Sequence, residues 1–283
     1  MKNLEMYFSS AREREGIRLR REAGELPPWT DDPVLRAWRF TNVDRERDKT
    51  TAWFREHVRS KLDGVRVVEA TVIFRYFNRI ETGAIVEDLL LNGWDSAEAG
   101  RRLKDVRPVV TGAYMVHSPY GMSKLEGLLA AIETARIWLP KMVGGWGDSQ
   151  EQAWRDLRTI PNLGSFSAGE IVWDLRWTPV LSGARDINEW TIAGPGCARG
   201  LGYVVDGDPN RYRYGSRKSQ TDMLSVMRAL LELSRSPEFW PEAWDRWELH
   251  SCEMWACEFF KYMQAMAGKR LKRRFALGEG GAA

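Results

Sequence analysis

Apolar positions recur with a period near 3.6 over Pro33–Arg59, Leu125–Pro140, Gln150–Ile160, Ala168–Trp177, Gln220–Ser234 and Trp244–Ala267, which predicts helices there. Val65–Phe77 is rich in β-branched and aromatic residues, as strands are, but Val72–Arg79 fits a buried helix and its neighbours are helical, so it is read as helix. Residues 27–33 read as an extended entry, with Asp32 as N-cap and Pro33 at the first helical position. Pro237 and Pro241 interrupt the stretch between the last two long helices, and residues 278–283 read as a disordered tail. The pattern predicts a mainly α protein, a single helical domain over residues 1–277.

Composition narrows the class. At 43% apolar content, 283 residues build a substantial core. The absence of a long apolar run and a charged N-terminus predict a cytoplasmic chain without a membrane partner. Cys197, Cys252 and Cys257 are odd in number and lack zinc spacing, so idle thiols are expected. His57, His117 and His250 are scattered, and no metal or other cofactor is predicted. The net charge is only +3, so affinity for nucleic acid has to come from local clusters: Arg12–Arg21, Arg211–Lys218 and Lys269–Arg274.

The most informative stretch runs from Trp154 to Leu175. A helix ending at Ile160 meets Pro161-Asn162-Leu163-Gly164, and a second helix follows with small residues at Ser167 and Ala168. This is a helix-hairpin-helix pattern. Gly164 is expected to supply the turn dihedral, and Asn162, Leu163, Gly164, Ser165 and Ser167 to hold one DNA phosphate on free backbone N–H groups. Such a contact fixes position without reading sequence, and an ordinary helical hairpin has the same pattern.

Several motifs carry a resemblance: Pro28-Trp-Thr-Asp-Asp32, Phe40-Thr-Asn-Val-x-Arg-x-x-Asp48, Val72-Ile-Phe-Arg-Tyr-Phe-Asn-Arg79, Thr111-Gly-Ala-Tyr-Met115, Trp190 with Gly194-Pro-Gly-Cys-Ala-Arg-Gly-Leu201, and Cys257-Glu-Phe-Phe-Lys-Tyr262. Together they resemble the α-glutamyl/putrescinyl thymine pyrophosphorylases, the amino acid:DNA transferases of phage DNA hypermodification. The departures are Phe260, where that family usually has Asp, and Cys197, where alanine is more usual. The resemblance implies a two-lobed fold similar to helix-hairpin-helix DNA glycosylases. It also implies a reaction in which the phosphate or pyrophosphate on a 5-hydroxymethyluracil side arm is replaced by an amino acid, glycine or serine favoured, or by a polyamine. Double-stranded DNA containing modified thymine, the small nucleophile and an upstream DNA base kinase are the implied partners, in the cytoplasm of an infected bacterium. A DNA N-glycosylase acting on a modified pyrimidine and a catalytically silent DNA-binding module are the competing readings.

Within that chemistry the residues divide by charge and shape. Asp186, a little under twenty residues beyond the hairpin, is the first candidate for stabiliser or base, and it also suits a helix N-cap. Asp48, Glu253 and Glu258 are the further carboxylates, either of the two glutamates suited to holding an ammonium. Flipping the base out invites aromatic sandwiching by Tyr76, Tyr114 and Trp190, with Asn78 on the pyrimidine edge. The glycine-rich loop from Gly194 through Gly196 to Gly200, with Arg199, reads as an anion cradle, joined by Arg75, Arg79 and Lys124 as cations and by Asn42, Arg45 and Lys261 from the family motifs.

Overall fold

The periodic segments fold as helices in the computed structural model, which describes residues 1–111 and 121–275. In chain order they are α1 (Leu4–Glu22), α2 (Pro33–Ala37), α3 (Lys49–His57), α4 (Gly64–Phe77), α5 (Ile80–Ile85), α6 (Glu87–Asn92), α7 (Ser96–Leu103), α8 (Lys124–Met142), α9 (Gln150–Leu157), α10 (Ser165–Leu175), α11 (Pro195–Val205), α12 (Arg217–Leu233) and α13 (Leu249–Met266). The fold is mainly helical. Among the described residues the extended pairing is confined to one antiparallel bridge, Trp38 with Arg274. No described helix is long and apolar enough to cross a membrane.

The β-branched segment is a helix because burial, not propensity, decides it. Every residue of α4 from Val67 to Phe77 except Glu69 is buried. Each large apolar side chain so enclosed contributes roughly 1.5–3 kcal/mol, several times the few tenths lost by a β-branched residue in a helix. Asp32 caps α2 as read from the sequence, its Oδ1 accepting from the Val34 and Leu35 amides at 2.8 and 2.9 Å.

Two expectations are corrected. Pro33–Arg59 is not one helix: α2 stops at Ala37, residues 38–44 run extended, a 3-10 turn covers Arg45–Arg47, and α3 begins at Lys49. Carboxylates remote in sequence or several residues on bind the amides of Thr41 and Asn42, which a continuous helix would have used internally. Gly194–Gly200 is not a loop: Gly194 is the N-cap of α11 and Pro195 its first residue. The glycines there serve close packing, since a Cβ on Gly200 would lie 1.8 Å from the Ala256 carbonyl oxygen and one on Gly196 2.4 Å from Cys257 Sγ. Backbone cannot yield as a side chain can, so Gly200→Ala is expected to lose about 3 kcal/mol or more by forcing α11 off α13. Thermal unfolding checks this, and a variant as stable as the parent would contradict it.

The chain divides into two compact units, one made of Met1–Asp48 with Thr191 onward, the other of Lys49–Trp190. The first, discontinuous unit packs α1, α2, α11, α12 and α13 around Tyr7, Phe8, Leu201, Met227, Trp255 and Phe259. In it the Tyr7 hydroxyl donates to the Cys252 carbonyl at 3.0 Å, and the Trp255 indole donates to the Tyr7 carbonyl at 3.0 Å. The three cysteines are free thiols, Cys197 and Cys252 buried. The second unit packs α3 to α10 around α4, with Phe54, Phe74, Ile132, Leu157 and Ile171 in its core.

Candidate functional site

In the discontinuous unit, the segment after α2 gathers charged groups from distant parts of the chain. Asp44 caps the 3-10 turn through the Glu46 amide at 2.9 Å, and the chain thereby folds back so that Asp48 Oδ1 accepts from the Asn42 amide at 3.0 Å. The Asn42 side chain donates to the Arg47 carbonyl at 2.7 Å, and its oxygen accepts from Arg14 of α1 at 2.5 Å. From α13, Glu258 accepts from the Thr41 amide at 3.2 Å and pairs with Lys261 at 2.6 Å, while the Lys261 ammonium lies 5.4 Å from the centre of the Phe40 ring. Arg45 is 4% exposed and Glu258 6%.

The electrostatics of this cluster centre on Asp48. Burial pushes its carboxyl up to about 6; the Asn42 amide, Arg14 and Arg45 pull it down, and Glu258 pushes it further up. Burial likewise pulls the Arg14 guanidinium below its ordinary value, against Asp48, Glu15 and Glu258. Two buried polar atoms here, Arg14 Nη1 and Thr41 Oγ1, have no hydrogen-bond partner among the described residues. A carboxyl that exchanges a proton near neutral pH, flanked by fixed cations and unfilled donors, is what a proton-transfer site requires.

Asn42, Arg45, Asp48, Glu258 and Lys261 are thus brought together. Arg14 joins them although no motif named it; the signal was the arginine-rich run of α1, indistinguishable from a solvated face. Glu253, 6% exposed, accepts from the Gly194 amide at 3.0 Å. A buried carboxylate therefore occupies the very helix N-terminus where an anion cradle was expected. Arg199 is exposed, its guanidinium carbon 5.4 Å from the Phe260 ring centre.

In the continuous unit, Arg75 is engaged inside a buried network rather than open to a ligand. It forms a two-pronged pair with Asp174, through Nε to Oδ2 and through Nη2 to Oδ1 at 2.6 Å. It also donates to Asn78 Oδ1 at 2.6 Å and to Thr51 Oγ1 at 3.0 Å. Arg59 adds a second cation, 3.8 Å from Asp174. Asn78 closes α4 in the left-handed conformation, at φ 44°. Tyr76 is buried and its hydroxyl has no partner among the described residues; neither has Arg79 Nη1, although Arg79 Nε holds Glu81 at 2.9 Å. Lys124 is exposed at the start of α8, Trp190 packs on Trp154 with ring centres 5.3 Å apart, and Tyr114 lies outside the described residues.

Asp186 is occupied as a remote cap for α9. Its Oδ1 accepts from the Gln150 amide at 2.8 Å, and its Oδ2 from Ser149 Oγ at 2.8 Å and the Glu151 amide at 3.0 Å. Asp186→Ala is expected to cost about 1–2 kcal/mol by freeing the first turn of that helix. Urea unfolding measures it; unchanged stability with turnover lost would return Asp186 to the reaction.

Between α9 and α10 the chain turns at Pro161–Gly164. The left-handed residue is Asn162, at φ 66°, and Gly164 is extended, at φ −77°. The expectation that Gly164 supplies the turn dihedral is therefore corrected. Gly164 instead is the N-cap of α10, without a side-chain cap and with open space where a Cβ would stand, so a ligand can approach the backbone there. The Trp154 indole ties the two helices by donating to the Ser165 carbonyl at 3.0 Å, while Leu163 is buried beneath the turn.

The family described as 5-hmdU DNA kinase, helical domain, matches residues 1–271 of this sequence. The chain belongs to that family. A curated protein of Bacillus phage SP10, named 5-hmdU DNA kinase, is 29% identical to it over 298 residues, covering 94% of this chain and 46% of the relative. The chain therefore spans about half the length of the phage kinase. No solved structure matches it. The phage relative's name bears out the setting that the transferase resemblance implied and names a different reaction, and the helical-domain family accounts for the mainly helical fold.

Proposed function

We propose that this helical domain works on 5-hydroxymethyluracil in DNA, as a transferase that replaces the phosphate or pyrophosphate on the base's side arm with an amino acid or polyamine. The observation that carries the reading is the enclosed cluster of Asp48 with Asn42, Arg14, Arg45, Glu258 and Lys261. In the reaction the amine nitrogen bonds to the 5-methylene carbon, the carbon–oxygen bond to phosphate breaks, and its electron pair leaves with the phosphate. Asp48 takes the proton the attacking nitrogen sheds, a task for which a carboxyl near 6 is ionised at neutral pH and still basic. Arg14, Arg45 and Lys261 offset the charge of the departing group, and Glu258 steadies Lys261 and the Thr41 amide. In the continuous unit, the α9–α10 hairpin suits one DNA phosphate, and Tyr76 and Arg79 carry unfilled buried polar atoms suited to a pyrimidine edge.

A second reading, phosphorylation of the base, is favoured by the name of the phage relative. Against it, these residues contain no Gly-x-x-x-x-Gly-Lys-Ser/Thr phosphate loop. Nucleoside mass spectrometry separates the two. Phosphorylated 5-hydroxymethyluracil DNA, incubated with the protein and a pool of amino acids and polyamines, is expected to gain the mass of the nucleophile less phosphate. Gain of phosphate by unphosphorylated DNA supplied with ATP would replace the transferase with a kinase, and release of free base would sink both.

A further inference from the structure

The C-terminal basic run is built into the fold rather than left as a solvated tail. Beyond α13 the chain doubles back along the end of α2: the Arg39 amide donates to the Arg273 carbonyl at 3.2 Å, and the Phe275 amide to the Ala37 carbonyl at 3.1 Å. These bonds flank the Trp38–Arg274 bridge, where the Arg274 guanidinium lies over the Trp38 ring, 5.5 Å from its centre. Phe275 meets Trp29 edge-on, ring centres 6.1 Å apart.

The effect is to merge two short basic stretches into one strip. Arg36 and Arg39 on one side and Lys269, Arg270, Lys272 and Arg273 on the other are all exposed, and none forms an ion pair among the described residues. Other arginines of the same unit are matched, Arg12 with Glu5, Arg18 with Glu15 and Glu22, Arg20 with Glu13 and Arg211 with Asp206. The six unmatched cations carry twice the net charge of the whole chain, which is +3. The acids that flank Arg36 and Arg39 in sequence are engaged elsewhere, Asp32 in the helix cap and with the Tyr262 hydroxyl, Asp44 with the Glu46 amide and Arg47. Fixed cations left unmatched along a segment that backbone hydrogen bonds and a bridge tie to the fold suit a polyanion of regular charge spacing.

We infer that this strip is a backbone-binding surface for duplex DNA, separate from the α9–α10 hairpin. It leads into Phe40 and the Asp48 cluster of the same unit, so DNA held on it brings a nucleotide to the residues proposed for the chemistry. The inference rests on the reading of the chain as acting on DNA. It adds affinity without sequence preference, because phosphates are identical at every step.

Full-length protein carrying Lys269→Gln, Lys272→Gln and Arg273→Gln tests it, by fluorescence anisotropy with a short duplex over a range of salt. Each phosphate contact contributes about 0.9 to the slope of log affinity against log salt, so the slope is expected to flatten by about 2–3. The loss should be equal for thymine and 5-hydroxymethyluracil duplexes. A second variant, Arg36→Glu with Arg39→Glu, leaves the C-terminal segment intact and is expected to weaken binding further; thermal melts verify folding of both. An unchanged slope in both variants overturns the inference. So does retained duplex binding with loss of binding to phosphatidylserine vesicles, which would assign the strip to a membrane surface. The change in salt slope between parent and variants reports on this surface and nucleoside mass on the reaction, so the two can fail independently.

Discussion

Asp48→Asn is expected to reduce turnover by about 10²–10⁴-fold, the usual contribution of a positioned general base, while leaving the protein at least as stable as the parent at pH 7. The combination follows from the sign of the pKa shift. The Asp48 carboxyl titrates near 6 in the folded chain, above the value near 4 of an unfolded aspartate. The folded state therefore binds the extra proton between those values. Ionising the group opposes folding, a cost absent below about pH 4, growing as pH rises, and fully present above about 6. Asparagine escapes it. The parent's rate should rise through pH 6 to a plateau as the base becomes ionised. Single-turnover rates against pH, with denaturant melts of both proteins, test the claim. A flat profile through pH 6, or a variant that turns over normally, would remove Asp48 from the reaction.

The second large effect lies in the other unit and is one of stability. Asp174 is wholly buried and holds Arg75, with Arg59 close by, so Asp174→Asn removes a carboxylate that faces two enclosed guanidiniums. Removing one partner of such a buried set costs about 3–5 kcal/mol, or a fall in melting temperature on the order of 10 °C. Calorimetry reads it directly. If the variant melts with the parent but fails to bind a phosphorylated substrate, then Arg75 faces a ligand and the network is functional instead.

What the sequence disclosed, and what it concealed, follows from the range of the forces involved. Local signals survived: Asp32 before Pro33 marks a cap, the all-round apolar character of Val67–Phe77 marks a core helix, and Pro161–Gly164 marks a turn between two helices. Helix α1 escaped notice because its buried stripe is short and includes Ser10, Glu15 and Gly16 among Tyr7, Phe8 and Ile17. The break at Trp38 was invisible because the Thr41 amide is claimed by Glu258, more than two hundred residues away. The glycines after Gly194 read as a loop cradling an anion, although Pro195 signals a helix start; what requires them is the close approach of α13, which no local pattern reveals. Likewise the motif aspartate at 48 was legible, but its arginine neighbour from α1 is joined to it only by tertiary structure. Asp186 shows the converse: spacing alone suited either catalysis or capping, and its three hydrogen bonds go to the start of α9.

The interrupted unit has a bearing on biosynthesis. Tyr7 and Phe8 are translated more than two hundred residues before the groups they pack on, Cys252, Trp255 and Phe259. At about 5–20 residues per second that interval is on the order of ten seconds or more, during which residues 49–190 have time to fold by themselves. The nascent helix α1 then spends its youth with an apolar stripe uncovered, a natural target for holdase chaperones until α13 arrives to clasp it.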